Sequence, residues 1–134
     1  MLEKIYENKF IEVYIDKENA LYMHRWKDVD FISEKDWNDI HIKMADLVEQ
    51  NNIKYILVDS SQKYYPITPE QREWFNKNIS PRLAKVLEKM AFVLPKDLFA
   101  QFGLVKTIED SGYTDRPIKA FDSYDEAYNY LLND

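Results

Sequence analysis

The sequence predicts an α/β domain in which helices cover a mixed, mainly parallel β-sheet, with elements in the order ββαβαβαβα. Short segments rich in β-branched and aromatic residues alternate with longer segments whose apolar residues recur at helical spacing. Residues 55–58 and 90–94 are apolar at every position, which is typical of strands covered on both faces. Helices that alternate with such strands favour parallel pairing.

The N-terminal third predicts a β-hairpin followed by a helix. Residues 10–15 and 20–26 are rich in β-branched and aromatic side chains, and the polar residues between them can turn the chain. Ser33 followed three residues later by Asp36 is an N-cap signature. Apolar residues at helical spacing come next, so we expect a helix over about 34–50.

The middle of the chain predicts a strand, an interrupted helix and a second strand. The strand at 55–58 ends at Asp59, and Pro69 suits the first position of a helix. Pro81 removes a backbone donor from that helix, so we expect a kink or two short helices. The second buried strand is predicted at 90–94.

The C-terminal third predicts a helix, a short strand and a final helix. Asp97 can cap the first of these helices, and Gly112 is suited to end it. Its apolar stripe is expected to face inward and consists of Leu98, Phe102, Val105 and Ile108. The last strand is predicted at 118–121, and Ser123 with Glu126 forms a capping box for the final helix.

Composition limits the class of protein. With 134 residues, 46% of them hydrophobic, and only 2 Gly and 5 Pro, we expect one globular domain over residues 1–134. The chain has no cysteine, which excludes disulfides, thiol catalysis and thiolate zinc sites. The N-terminal residues lack the order of a signal peptide, and no run is long enough to span a membrane, so the cytoplasm is the expected location.

Charge is unevenly distributed along the chain. The net charge of −6 argues against nucleic acid as a partner, because neutralising phosphates needs clustered Lys and Arg. Residues 54–95 nevertheless hold 7 basic and 4 acidic residues. The main members of this basic segment are Arg72, Lys77, Arg82, Lys85 and Lys89. Its plain interpretation is a solvated helix face.

Four segments, 55–59, 67–71, 91–95 and 120–127, follow the strand, loop, helix, strand and terminal-helix pattern of a known family. In these segments and in element order, the chain resembles the SpoIIAA-like or STAS family of small α/β domains, which is related in shape to the lipid-binding CRAL-TRIO domains. The likeness spans nearly the whole chain. It implies a non-catalytic domain of the SpoIIAA-like fold that binds a ligand or a regulatory partner.

The phosphorylation motif of the anti-anti-sigma members is not kept. Those members carry Asp-Ser-Ser/Thr-Gly, and the position of the phosphorylated Ser corresponds to Thr68 here. Ile67 stands in place of the Asp, Pro69 in place of the next Ser or Thr, and Glu70 in place of the Gly. We therefore expect Thr68 to cap its helix rather than to act as a phosphoserine-type switch. Ser60, next to Asp59, is expected to bond within the loop.

No catalytic or cofactor motif is recognisable. His24 lies in a predicted strand and His41 in a predicted helix, in no triad or metal pair, so a structural role is expected for each. Two glycines cannot form a glycine-rich phosphate loop. Asp28 and Asp30 are better explained as solvated turn carboxylates than as cation ligands. We expect a protein that is not an enzyme and has no cofactor.

The loop and helix after Asp59 are the predicted binding region, because ligands of open α/β sheets gather beyond the carboxyl ends of strands. The candidate binding residues are Asp59, Tyr64, Tyr65, Ile67, Thr68, Arg72, Trp74 and Lys77. One hypothesis is that they bind an apolar small molecule, such as a fatty-acid-like ligand, or an anionic membrane surface. The alternative is a protein partner docked on the same surface through its aromatic side chains. A turn or capping role for Asp59, and core packing for Trp74, are the structural alternatives.

Overall fold

The computed structural model describes residues 1–29, 31–62, 67–98, 101–102, 104–106 and 118–133. The strands of the described part are β1 (Glu3–Glu7), β2 (Ile11–Asp16), β3 (Leu21–Trp26), β4 (Tyr55–Asp59), β5 (Lys89–Val93) and β6 (Ile118–Phe121). The helices are α1 (Glu34–Gln50), α2 (Pro69–Asn78), α3 (Ser80–Ala84) and the terminal α4 (Tyr124–Leu132). Residues 98, 101–102 and 104–106 are also helical.

The strands form one mixed sheet in the order β1-β2-β3-β4-β5-β6, so every strand pairs with its neighbour in the chain. The β1·β2 and β2·β3 pairs are antiparallel, whereas β3·β4, β4·β5 and β5·β6 are parallel. The predicted α/β class and the mixed, mainly parallel sheet covered by helices are therefore confirmed. The antiparallel pairs belong to the N-terminal strands, which tight turns can join, and the parallel pairs follow helical crossovers.

The predicted element order was wrong in one respect, because β1 precedes the hairpin at the edge of the sheet. Its sequence, EKIYE, is charged at three of five positions, and Ile5 is exposed. Charged side chains on an edge strand discourage pairing with another chain. The same charges remove the apolar alternation by which strands are recognised, and this explains why the strand was not predicted.

Two apolar cores lie on opposite faces of the sheet. The larger core contains Ile56 and Val58 of β4 and is covered by α1, α2 and α3. The smaller core contains Leu57 of β4 and is covered by Ala127 and Leu131 of α4. Successive strand residues point to opposite faces, so β4 is buried on both sides. This confirms the expectation drawn from its unbroken apolar run.

The turn of the β2–β3 hairpin is tied to the start of β4. Ala20 has a positive φ of 54°. Its carbonyl oxygen accepts hydrogen bonds from the amides of Lys54 at 2.8 Å and Tyr55 at 3.1 Å. The Lys54 carbonyl in turn accepts from the amide of Glu88 at 2.8 Å, just before β5. Backbone bonds therefore align the amino ends of the three central strands.

Local signals set the helix ends largely as expected. The Ser33 hydroxyl caps α1 by accepting from the Asp36 amide at 3.0 Å, and Pro81 falls where α2 gives way to α3. The capping box at α4 differs from the prediction. Ser123 accepts from the Glu126 amide at 3.2 Å, but the Glu126 carboxylate accepts from the Ser123 hydroxyl. No described helix is both long and apolar enough to cross a membrane.

The apolar stripe predicted for the helix after β5 does not face inward. Leu98 is 78% exposed and Phe102 is 74% exposed, whereas Leu104 is only 5% exposed. Leu104 lies about 200° around a helix from Phe102, so a helix that buries Leu104 must turn Phe102 outward. Ile108 and Gly112 lie outside the described residues. Tertiary docking therefore overrides the sequence periodicity in this helix.

We predict that Leu131→Ala lowers the free energy of unfolding by about 2–5 kcal/mol, because it empties a fully buried position in the smaller core. Urea denaturation followed by circular dichroism measures this loss. Ile42→Ala is the control, because Ile42 is an exposed aliphatic residue of α1. Equal losses in the two variants would show that α4 does not close a core.

Candidate functional site

Three parallel strands, β3, β4 and β5, end at the same edge of the sheet. Their last paired residues are in register, with Arg25 opposite Asp59 and Asp59 opposite Val93. The Ser60 amide donates to the Val93 carbonyl at 3.0 Å, which continues the pairing one residue beyond β4. The connections that follow these strands therefore meet at this carboxyl edge, where ligands bind in open α/β sheets.

A pocket opens at this edge between the sheet and the helices α1 and α2. Its cavity volume is about 50 Å³. Its aromatic lining consists of His24, Trp26, Trp37, His41, Phe75 and Phe92. Met44, Val58, Ile67, Met90 and Leu104 add aliphatic surface, and Ser60 and Arg72 add polar groups. A mainly apolar pocket with a few polar groups is the usual form of a small-molecule site.

The aromatic rings of the pocket contact one another. Trp26 and Trp37 stack with their planes 13° apart and their ring centroids at 5.6 Å. The His41 ring lies 4.2 Å from that of Trp37 and meets Phe75 edge-on at 5.3 Å. The His24 ring meets that of Trp26 edge-on at 5.5 Å. The sheet and the helix α1 thus present one continuous aromatic wall.

Hydrogen bonds orient the two histidines, whose ring centroids are 6.2 Å apart. His41 Nδ1 lies 2.8 Å from the Trp37 carbonyl oxygen, and because a carbonyl only accepts, Nδ1 carries the proton. His24 Nδ1 lies 2.9 Å from the hydroxyl of Tyr22. Burial raises the pKa of Tyr22 far above its ordinary value, so that phenol stays neutral.

The two histidines share the pocket, which was not predicted from the sequence. Two periodicities in the sequence indicate that the histidines lie close together. Tyr22, His24 and Trp26 alternate along one face of β3, and Trp37 and His41 are one turn apart on α1. Assigning both faces to the same core would have brought the histidines together.

Asp59 lies on the opposite face of the sheet from the pocket. It is 4% exposed, and its carboxylate accepts from Arg25 Nε at 2.9 Å and from the Ser61 amide at 3.0 Å and hydroxyl at 2.7 Å. The Arg25 guanidinium also lies 6.0 Å from the ring of Tyr124 at the start of α4. Partial burial is the largest single influence on the pKa of Arg25 and lowers it. The bond to Asp59 and the attraction of Asp59, Tyr14 and Glu12 together outweigh burial, so the pKa is raised overall. The pair joins the ends of β3 and β4.

Thr68 is the N-cap of α2, as predicted. Its hydroxyl accepts from the Gln71 amide at 3.1 Å, and the Gln71 side chain accepts from the Thr68 amide at 2.9 Å. This reciprocal capping box sets the first turn of α2, from which Arg72 reaches the pocket. The prediction that Thr68 is not a phosphorylation switch stays a prediction.

The remaining candidate residues do not surround one opening. Of the predicted set, the pocket contains Ile67 and Arg72. Trp74 packs against the outer flank of α1 in a shallow depression beside Asn38, and Lys77 is exposed near the end of α2. Tyr64 and Tyr65 lie outside the described residues.

The basic segment is divided between two faces. Arg82 donates to Asp46 of α1 at 2.7 Å and also pairs with Glu49, so acidic side chains neutralise its charge. Lys89 Nζ donates to the Tyr130 carbonyl of α4 at 3.0 Å on the other side of the sheet. These two cations therefore do not join Arg72 in one basic surface.

Comparison with protein-family models, with curated proteins and with solved structures finds no match to this chain. In the part of the chain that the structure describes, no group of three histidine or acidic side chains is arranged to hold a metal ion. The geometry of the pocket is therefore the main guide to function.

We predict that the Arg25–Asp59 pair is energetically coupled by about 1 kcal/mol, since the Arg25 side chain is about one-third exposed and partly screened by solvent. Arg25→Met and Asp59→Asn should each destabilise the protein, and the double variant by less than their sum. Urea titration of the four proteins measures the coupling. The exposed Lys35–Asp39 pair of α1 is the matched control and should show a smaller coupling. Strict additivity at Arg25 and Asp59 would contradict the prediction.

We also predict that Thr68→Ala lowers the free energy of unfolding by about 1 kcal/mol, because the Gln71 amide loses its acceptor. Thr68→Ser keeps a hydroxyl and should stay close to the parent protein. Thermal and urea denaturation compare the variants. If the cap contributes no stability, all three proteins will be equally stable. A phosphopeptide at Thr68 from native material would refute the separate prediction that Thr68 is not phosphorylated.

Proposed function

We propose that the chain is a non-catalytic domain of the SpoIIAA-like (STAS-like) fold that binds an apolar small molecule in the carboxyl-edge pocket. The observation that carries the proposal is the pocket itself, with its aromatic wall and two polar residues at the end of three parallel strands. An apolar ligand would cover the half-buried lining residues Ile67, Phe75 and Phe92, which is favourable in proportion to the area buried.

Binding to a small molecule is better supported than binding to an anionic membrane. A membrane surface calls for several cations on one face. Arg82 is neutralised by the acidic side chains of α1, and Lys89 lies on the far side of the sheet. Two of the five main cations of the basic segment are therefore engaged elsewhere, whereas a cavity is present.

The absence of catalysis is also part of the proposal. Both histidines are packed among aromatic rings and bonded through Nδ1. This arrangement is compatible with a structural role in the pocket lining and does not require a role as a catalytic base. Cytoplasmic location stays a prediction. A hydrolase and phosphatase panel tests the non-catalytic role, and turnover that disappears in His41→Gln would overturn it.

We predict that the protein binds small uncharged probes such as indole and 1-hexanol, and that Ile67→Trp reduces this binding at least tenfold by filling the pocket mouth. Ile42→Trp is the control, because Ile42 lies on α1 outside the pocket. Ligand-observed NMR measures binding, with circular dichroism to show that both variants are folded. Native mass spectrometry of the parent protein should also reveal any co-purified ligand. Absence of binding by the parent protein, or equal binding by Ile67→Trp, would refute the proposal.

A protein partner is the second candidate function, and one observation favours it. Leu98 and Phe102 lie one helical turn apart and are both largely exposed, although Leu104 of the same segment lines the pocket. Exposed aromatic and aliphatic side chains are typical anchors of protein interfaces. If this candidate is right, native mass spectrometry should find a bound protein that the Leu98→Ser, Phe102→Ser double variant no longer retains.

A further inference from the structure

Tyr22 and His24 form a buried pair on the face of β3 that packs against α1. Each residue is 1% exposed, and the phenol oxygen of Tyr22 lies 2.9 Å from His24 Nδ1. Burial raises the pKa of Tyr22 far above its ordinary value, so the phenol keeps its proton. A buried phenol must direct that proton to an acceptor, so its O–H donates to Nδ1. The proposed ligand function makes no use of this pair.

A series of aromatic rings connects this pair to the carboxyl edge of the sheet. The His24 ring lies 5.6 Å from the ring of Tyr22 and 5.5 Å from that of Trp26, the last residue of β3. Trp26 in turn stacks on Trp37 of α1, with ring centroids 5.6 Å apart. In a protein without cysteine, indoles and phenols are the side chains most easily oxidised by one electron. The four rings therefore form a path between the sheet edge and the buried phenol.

The surroundings of Tyr22 favour the products of phenol oxidation. A phenol that loses one electron becomes a strong acid, and a base within hydrogen-bond reach takes its proton. His24 Nδ1 already accepts the hydrogen bond, so the proton moves along an existing contact. The Trp26 ring lies 5.5 Å from the imidazole, within the range at which an aromatic ring attracts a cation. Burial of Tyr22 also separates its radical from water and from the phenols of other molecules.

We propose that Tyr22 and His24 form a reversible one-electron redox site, which a one-electron oxidant in solution reaches through Trp37 and Trp26. The oxidant is reduced by taking one electron from an indole, and the indole radical cation then takes one electron from Tyr22. The phenol O–H bond breaks in the same step, and its proton passes to His24 Nδ1. The products are a neutral phenoxyl radical, an imidazolium and the restored indole. Return of one electron to Tyr22 moves the proton back to the phenol oxygen.

Photolysis of the protein with tris(bipyridine)ruthenium(II) and a cobalt(III) quencher tests the proposal, because it generates a ruthenium(III) one-electron oxidant. Samples frozen after the radicals of exposed phenols have decayed are measured by electron paramagnetic resonance. The parent protein should show a long-lived phenoxyl radical, and Tyr22→Phe should show an indole radical in its place. Tyr128→Phe is the matched control, since it removes a half-buried phenol on the opposite face of the sheet and should keep the phenoxyl signal. Circular dichroism shows whether each variant is folded.

A second measurement on the parent protein does not depend on the folding of any variant. With isotopically labelled histidine nitrogens, pulsed electron paramagnetic resonance should detect a histidine nitrogen coupled to the trapped phenoxyl radical, as expected for a hydrogen bond to His24 Nδ1. Absence of this coupling would overturn the proposal. So would a parent protein without a long-lived phenoxyl radical, or equal phenoxyl signals in Tyr22→Phe and Tyr128→Phe. None of these outcomes bears on ligand binding, which the indole and hexanol probes test separately.

Discussion

Burial of β4 on both faces is the constraint on which the rest of the structure depends. Ile56 and Val58 belong to the core under α1, α2 and α3, and Leu57 belongs to the core under α4. A strand in this position must have neighbours on both edges and helices on both faces, because its backbone groups and its side chains are all removed from water. The parallel pairs with β3 and β5 supply the first requirement, and the crossover and terminal helices supply the second.

The alternation of β4 continues into the functional edge and divides it in two. Val58 and Ser60 point into the pocket, while Asp59 between them points to the opposite face and joins Arg25. One side of the edge is therefore an apolar space, and the other is an ion pair that connects two strand ends. Two contacts fix the position of Ser60. Its amide donates to the Val93 carbonyl, and its neighbour Asp59 is held by Arg25.

Sequence patterns predicted the elements whose signals are local and missed those set by distant contacts. The helix caps at Ser33 and Thr68 and the break at Pro81 depend on neighbours in the chain, and they were predicted. The double burial of β4 was predicted too, because its unbroken apolar run is a local signal. The outward stripe of Leu98 and Phe102 was not, because the burial of Leu104 is decided by the rest of the fold.

The same difference between local and distant contacts explains which residues of the candidate site were predicted. Ile67 and Arg72 were expected at a ligand opening because the loop after β4 was recognised, and the pocket contains both. Asp59 and Trp74 were expected beside them, but strand alternation and helix rotation direct these side chains elsewhere. His24 and His41 are 17 residues apart in the chain, and only the packing of α1 on β3 brings their rings together.

The sequential strand order has a consequence for how the chain reaches its native state. Each strand pairs with the strand before it, so the sheet can grow from the N-terminal hairpin by adding one edge at a time. Each added strand closes a loop no longer than one turn or crossover, so the entropic cost of each step stays low. A chain emerging from the ribosome could assemble this sheet in the order of synthesis, with β4 exposed only until β5 and its covering helices arrive.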